Sequence, residues 1–424
     1  MDDAKRYRCL KPLEHVKLRP GMYVGSTAPS MSERWVIDHS DGQFKSRRVD
    51  KEMVPALLKI FDEVVSNAGD AAQRDESVTT ITIGAVVLEQ KLTFSVRNDG
   101  RGVPTDLDET MKIPVAQMIV GELLAGENFG DDREKVVGQN GLGGKLANIF
   151  STSFKASTRH APTGNVWNGE WKDGMELVSS KVKTGTPGKA GFFDVFFVPN
   201  QELTVGATDD DAMAVYLRRA LDLAVTVRPG VSVTFNGIKL CTEKKPLEFK
   251  KYATILLGAG AVVRESNGWC VAIAPSASPV SIGLINGVSS HGRHIVHAEG
   301  ELYGAIIKAV ASKRNSKGLK LTVPSLRAHA SLLVVANVNA PTFTSQTKER
   351  CDGWSKQGTT LWETDEKFVE KIIKTEIVTN AVDAVQASTT KKLAKATDGS
   401  KKRNVDVPKL RDASEAGRGA GAPL

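Results

Sequence analysis

Residues 52–74 read EMVPALLKIFDEVVSNAGDAAQR, and how that stretch is wound decides the reading of the chain. On a helix turning 100° per residue, Leu57, Phe61, Val64, Val65 and Ala68 fall on one side. Glu63, Asn67, Asp70 and Arg74 stack in a narrow stripe on the other. A solvated face is the ordinary reading of such a stripe. Two features argue for more. Asparagine is a mediocre helix former and no obvious surface filler. A carboxylate one turn before a carboxamide also suits a task. The carboxylate can orient and deprotonate a water. The amide oxygen can ligate a hard cation such as Mg²⁺, which usually keeps several waters.

The segments that follow supply what a phosphate site needs. Residues 81–88 and 92–98 alternate as a β-hairpin, with Leu92, Phe94, Val96 and Asn98 on one face. The strand breaks into Asn98-Asp99-Gly100-Arg101-Gly102. A polar side chain ending an apolar face can bond an adenine edge, and glycines let backbone approach a ligand. An ordinary strand-to-turn exit is the alternative. Further on stands Gly138-Gln139-Asn140-Gly141-Leu142-Gly143-Gly144-Lys145, opening a helical run from Leu146 to Phe150. Glycines at a helix start expose N–H groups to a phosphate, and Lys145 adds a point charge. The loop is neither Walker A nor a Rossmann opening.

Taken in order, Glu63-x-x-x-Asn67, Asn98-x-Gly100-x-Gly102 and Gly141-x-Gly143 resemble the three boxes of the GHKL (Bergerat-fold) ATPases. Further stretches resemble type IIA topoisomerases: LEHVKLRPGMYVGS (13–26), KIFDEVVSNAGDAAQRD (59–75), GQNGLGGKLANIFS (138–151), NAPTFTSQTKE (339–349) and VPKLRDASEAG (407–417). The likeness spans nearly the whole chain. Residues 31–49 fill an insertion typical of eukaryotic and phage enzymes, and residues 127–132 look most like the T-even phage version.

The resemblance implies an α+β chain. A GHKL sandwich over 1–245, with an N-terminal arm at 1–12, precedes a ribosomal-S5-domain-2-like transducer over 246–395. Residues 396–424 would be a linker towards a Toprim domain. It implies ATP and Mg²⁺ as cofactors, Glu63 as the base that activates water, Asn67 as the Mg²⁺ ligand and Asn98 at the adenine. Residues 138–145 would wrap the phosphates, including Gln139, Asn140, Leu142 and Gly144. Asn128 matches a ribose- or phosphate-side asparagine, while Gly126 and Glu127 stand where the eukaryotic enzymes have serines. Gln346, Thr347 and Lys348 would arrive from the second domain, with Lys348 on the γ-phosphate. ATP would close two chains into a homodimer, each arm reaching over the partner with Tyr7 as a contact. An arm without a fixed place in the free monomer is the alternative. Duplex DNA would be met by Lys313, Arg314 and Lys317 through salt-sensitive phosphate contacts; a solvated helix end is the alternative. His291 and His294 read as structural.

Composition sets looser bounds. The 424 residues carry a net charge of +8, which permits a polyanionic partner without requiring one. Cys9, Cys241, Cys270 and Cys351 form no CxxC pair, so neither a disulfide framework nor a zinc site is indicated. No apolar run nears the roughly 18 residues a bilayer span needs, and residues 1–11, MDDAKRYRCLK, hold no apolar stretch of the kind a signal peptide uses. The expected compartment is cytoplasmic, a host's if the source is a phage, or nuclear if it is eukaryotic. Short strands are expected at 270–274, 281–285 and 332–338, and helices near 299–313 and 366–395, followed by a basic linker from 391. No Toprim motif occurs, and the tyrosines at 7, 23, 216, 252 and 303 lie in no cleavage context. By itself the chain is expected to hydrolyse ATP without cutting DNA, as a fragment or a subunit of a split enzyme. Rival readings are a chaperone or MutL-type repair protein of the same fold, and a non-hydrolysing ATP-gated DNA clamp.

Overall fold

The computed structural model describes residues 9–126, 135–138, 140–188, 190–312 and 321–400, with side chains as far as 392. Among them the chain is α+β, with sheets of eight, five, three and two strands. The largest runs in the order Ile238–Cys241, Ser232–Phe235, Thr80–Leu88, Lys91–Gly100, Gly191–Pro199, Ser151–Arg159, Val166–Lys172, Glu176–Lys183. Thr80–Leu88 and Ser232–Phe235 are parallel, and the other neighbours are antiparallel. The hairpin expected at 81–98 forms with Ile81 opposite Asn98.

Helices Pro55–Arg74, Gly143–Ile149 and Asp210–Thr226 share one hydrophobic core with this sheet. The period of two turns Phe94 and Val96 inward. Phe61 meets Phe94 at a ring-centroid distance of 4.6 Å and Tyr216 at 5.2 Å. Such pairs add roughly 0.5–1.5 kcal/mol each beyond burial. Asp209 caps the third helix by accepting the Ala212 N–H at 2.9 Å. The first helix starts at Pro55 and not at 52; Glu52 and Met53 instead end the strand Gln43–Met53. Proline lacks an N–H and locks φ, so it suits a helix's first turn and breaks its interior. Gln43–Met53 pairs with Ser30–Ser40 in a two-stranded hairpin, so the insertion at 31–49 is structured. Its Val36 and Ile37 are fully buried.

The five-stranded sheet runs Val262–Ser266, Trp269–Pro275, Ala330–Ala336, Ser281–Ile285, Val288–Ser289. Alternation divides its residues between two cores. Ala272, Leu284, Leu333 and Val335 join the first core beside the helix Phe249–Leu257. Trp269, Val271, Ile273, Leu332 and Val334 form a second core with the helices Arg293–Ala311, Glu366–Ile373 and Glu376–Ser400. Three expectations need correcting here. The apolar period over 366–395 predicts one helix, but the chain breaks near Thr375. The Thr375 hydroxyl donates to the Ile372 carbonyl at 2.6 Å and its N–H donates there at 2.9 Å, closing the first helix. The period survives because Ile372, Ile377 and Ala381 all enter the same core. The second helix then runs to Ser400, past the point at 391 where composition suggests a linker. The basic run there marks the loss of an apolar face, while its alanines, lysines and leucine still favour helix. The helix expected from 299 begins earlier, at Arg293.

A small three-stranded sheet positions the hairpin that carries Lys348. Thr342–Phe343 runs antiparallel to Arg350–Gly353, which runs parallel to His291–Gly292. Residues 344–349 form the tip of that hairpin.

Candidate functional site

The polar stripe of the Pro55–Arg74 helix divides by depth. Glu63 and Asp70 are 2% and 4% exposed, whereas Asn67 between them faces open space. Helical spacing brings Lys59 Nζ to 2.7 Å from Glu63 Oε1. Lys348 Nζ arrives from 285 residues downstream, 2.8 and 3.0 Å from the two Glu63 oxygens. Lys59 is also 3.2 Å from Asp62, whose other oxygen takes the Arg219 guanidinium. Arg219 reaches Ser66 Oγ at 2.9 Å as well. Three cations thus surround two carboxylates, leaving one positive charge in excess. Burial works against the charged form of Glu63, yet Lys348 and Lys59 together hold its carboxyl below the usual range. Lys348 itself is 4% exposed, with a backbone φ of 60°.

The glycine-rich segment closes over this carboxylate. A Cβ on Gly143 would lie 2.2 Å from Glu63 Oε2, so any larger residue there would displace the carboxylate. Asp70 anchors the loop's root, accepting the N–H groups of Val137 at 3.0 Å and Gly138 at 2.9 Å. Burial pushes the Asp70 carboxyl up while those two amides oppose the shift. Replacing Asp70 by Ala leaves both amides without their acceptor, at roughly 1–3 kcal/mol each. The expected result is faster hydrogen exchange at Val137 and Gly138 with little change across the sheet. Lys145 lies buried on the Ala125 carbonyl, and burial lowers its pKa to about 8. Asn140 Nδ2 donates to Gln346 Oε1 at 2.7 Å, a second link between the halves of the chain. Thr347 bonds Ser345 within the tip. Leu142 precedes the short helix and is buried; Gly126 is exposed.

Beside Glu63 a cleft is lined by Val64, Asn67, Ala68, Val96, Asn98 and Gly144, among others. Asn98 is buried, and its Nδ2 donates to the Asp99 carbonyl at 2.8 Å. Asp99 is fixed by the Thr79 and Thr80 amides. The cleft is apolar apart from two carboxamides, the mixture of apolar surface and a few polar groups that small-molecule sites share.

Among the described residues, then, the structure brings together Glu63, Asn67, Asn98, Gly138, Asn140, Gly141, Gly143, Gly144, Lys145, Gln346 and Lys348. Glu127, Asn128, Gln139, Lys313, Arg314, Lys317, Tyr7 and residues 407–417 lie outside the described residues. His294 is fully buried and His291 sits on the small sheet; burial lowers the His294 pKa to about 4. Sequence reasoning missed Lys59, Asp62 and Arg219. Lys59 stands one turn before Glu63 and could have been found from that spacing; Arg219 left no such signal.

Fold and site together define a GHKL-type ATPase module joined to a second α/β domain. No family model matches the chain. DNA topoisomerase 2 of Drosophila melanogaster is 33% identical over 97% of the chain, and that of Penicillium chrysogenum 31% over 98%. The ATPase and transducer domains of DNA topoisomerase II from Balamuthia mandrillaris superpose with a TM-score of 0.81 at 27% identity, covering 92% of this chain and 100% of that one. The chain belongs to the type II DNA topoisomerases and corresponds to their ATPase and transducer region. It spans 29% of the Drosophila protein and 26% of the Penicillium protein. Among the described residues no helix is long and apolar enough to cross a membrane.

Proposed function

We propose that the chain binds and hydrolyses ATP with Mg²⁺, and that this drives closure of a homodimeric gate through which duplex DNA is passed. Domain limits near 245 and 395 go with that reading. The observation that carries it is the meeting of Lys348 with Glu63: a cation from the second domain lies on the carboxylate of the first. In this reading Glu63 accepts a proton from the attacking water. Lys348 leaves the carboxylate for the γ-phosphate and stabilises charge there. Gln346 and Asn140 hold the loop against the phosphate segment, and Lys145 neutralises an inner phosphate. Asn98 orients the base through a side chain that both donates and accepts.

The donor set fits Mg²⁺ carried in with the nucleotide. No group of three His, Cys, Asp or Glu side chains among the described residues could hold a metal alone. Asn67 offers one exposed amide oxygen beside the cleft, and Mg²⁺ commonly takes one or two protein ligands together with phosphates and waters. Held by Asn67, Mg²⁺ would offset the negative charge of the phosphates.

ATP turnover with and without duplex DNA, alongside particle mass with a non-hydrolysable analogue, tests the whole reading. Turnover and a doubling of mass are expected; a chain that takes up the analogue and never turns over ATP would instead be a clamp. Glu63 favours the hydrolysing reading, since a clamp needs no base there. Lys145 gives a further test. Its folded pKa near 8 is depressed from 10.5 by burial, so above that pH it is largely neutral. A phosphate favours the ammonium, so binding at pH 8.5 should take up as much as about three-quarters of a proton. Calorimetry in buffers of different ionisation heat reads this directly, and Lys145→Met should abolish it.

A further inference from the structure

The first and second domains also meet at a turn the nucleotide reading does not use. Ser281–Ile285 and Val288–Ser289 are joined by Asn286-Gly287, both left-handed, with φ of 47° and 82°. This is the tight Asn-Gly hairpin connection. Three elements converge on it. Asn286 Oδ1 accepts the Val338 N–H at 2.8 Å, and Nδ2 donates to the Val338 carbonyl at 2.8 Å. Val338 ends the stretch that leads into the Lys348 hairpin. The same Nδ2 lies 3.4 Å from the Val136 carbonyl, next to the two amides that Asp70 holds. Gly287 presses on the end of the Asp210–Thr226 helix, where a Cβ would come within 2.8 Å of Thr226 Oγ1.

One carboxamide therefore ties the root of the Lys348 loop to the root of the phosphate loop. Its bonds to Val338 fix the height at which the hairpin leaves the sheet. Its contact with Val136 ties that height to the loop that would wrap the phosphates. Hydrogen bonds of this kind act over short distances and in fixed directions, so a joint made of them transmits position. Asn140 and Gln346 repeat the link nearer the ligand, at the tips of the same two loops.

We propose that Asn286 is a positioning residue that sets Lys348 at the distance from the phosphate loop where it can distinguish a γ-phosphate from its absence. The proposal rests on the reading of Lys348 as the γ-phosphate contact. Asn286→Gly is the informative variant, because glycine keeps the left-handed backbone without strain while deleting the carboxamide. Asn286→Asp keeps the acceptor for the Val338 N–H and loses both donations.

The test measures dissociation constants for ADP and for a non-hydrolysable ATP analogue on the full chain. It includes both Asn286 variants, Lys348→Ala, and the double variant Lys348→Ala with Asn286→Gly. Each Asn286 variant should lose preference for the analogue by roughly five- to tenfold. In the double variant the loss should not exceed that of Lys348→Ala by more than about twofold, because the two residues act in series. Wild-type preference in both single variants overturns the proposal, as does a fully additive double variant. If instead the unaltered chain shows no preference for the analogue, or Lys348→Ala retains it, the underlying nucleotide reading fails. A general loss of folding would weaken ADP and analogue alike and leave their ratio at the wild-type value, which also counts against the proposal.

Discussion

Replacing Glu63 by Gln should lower ATP turnover by roughly 10²- to 10⁴-fold, the usual contribution of a positioned base, while nucleotide still binds. Glu63→Ala should behave in the same direction. The amide keeps the shape of the side chain but cannot accept the proton of a water. It also leaves Lys348 buried against a neutral group, while Lys59 keeps only Asp62. Lys348 is 4% exposed, and removing one partner of a buried pair costs about 3–5 kcal/mol. The empty variant should therefore melt earlier than the unaltered chain. A bound triphosphate restores a counter-charge, so nucleotide should raise the melting temperature of the variant by more than it raises that of the parent. Normal turnover in Glu63→Gln would remove Glu63 from the role of base.

Lys348→Ala should cost about 10²- to 10³-fold in turnover, as loss of one preorganised charge contact does. It should also uncouple closure from nucleotide. The sign of the accompanying pH effect follows from the pair. Glu63 has a depressed carboxyl pKa in the folded chain, so its contribution to stability is present above the unfolded carboxylate range. That contribution is lost as pH falls through the folded value. Without Lys348 the depression shrinks, because burial already works against the charge, and acid unfolding should begin at higher pH. Closure is read as particle mass or as a distance between labels on the two domains. Full closure of Lys348→Ala on a non-hydrolysable analogue would refute the coupling role.

Much of this was legible from residues alone because helical and strand periods are local. The stripe of Glu63, Asn67 and Asp70 and the face ending in Asn98 both follow from counting. Counting could not decide which parts of the stripe are buried. Glu63 and Asp70 sink under the glycine-rich segment, and Asn67 does not, because of where a loop 67 or more residues later folds back. Nor could it place Lys348, whose partner lies in the other domain; only family likeness suggested that loop. Proline's effect at Pro55 was a local signal left unread. The break at Thr375 was hidden because both helices feed one core and keep its rhythm. Arg219 and Asn286 stayed out of sight for a common reason: each acts by a bond to a distant segment and shapes no periodicity of its own.

The left-handed backbone at Lys348 has a mechanical meaning. A non-glycine residue held there gives up about 1–2 kcal/mol, and at Lys348 both the bond from its N–H to the Ser345 carbonyl and the clasp of its ammonium by Glu63 offset that cost. Were a competing anion to draw the ammonium away, one of those two supports would go, and any strain the movement relieved would lower the cost of the exchange.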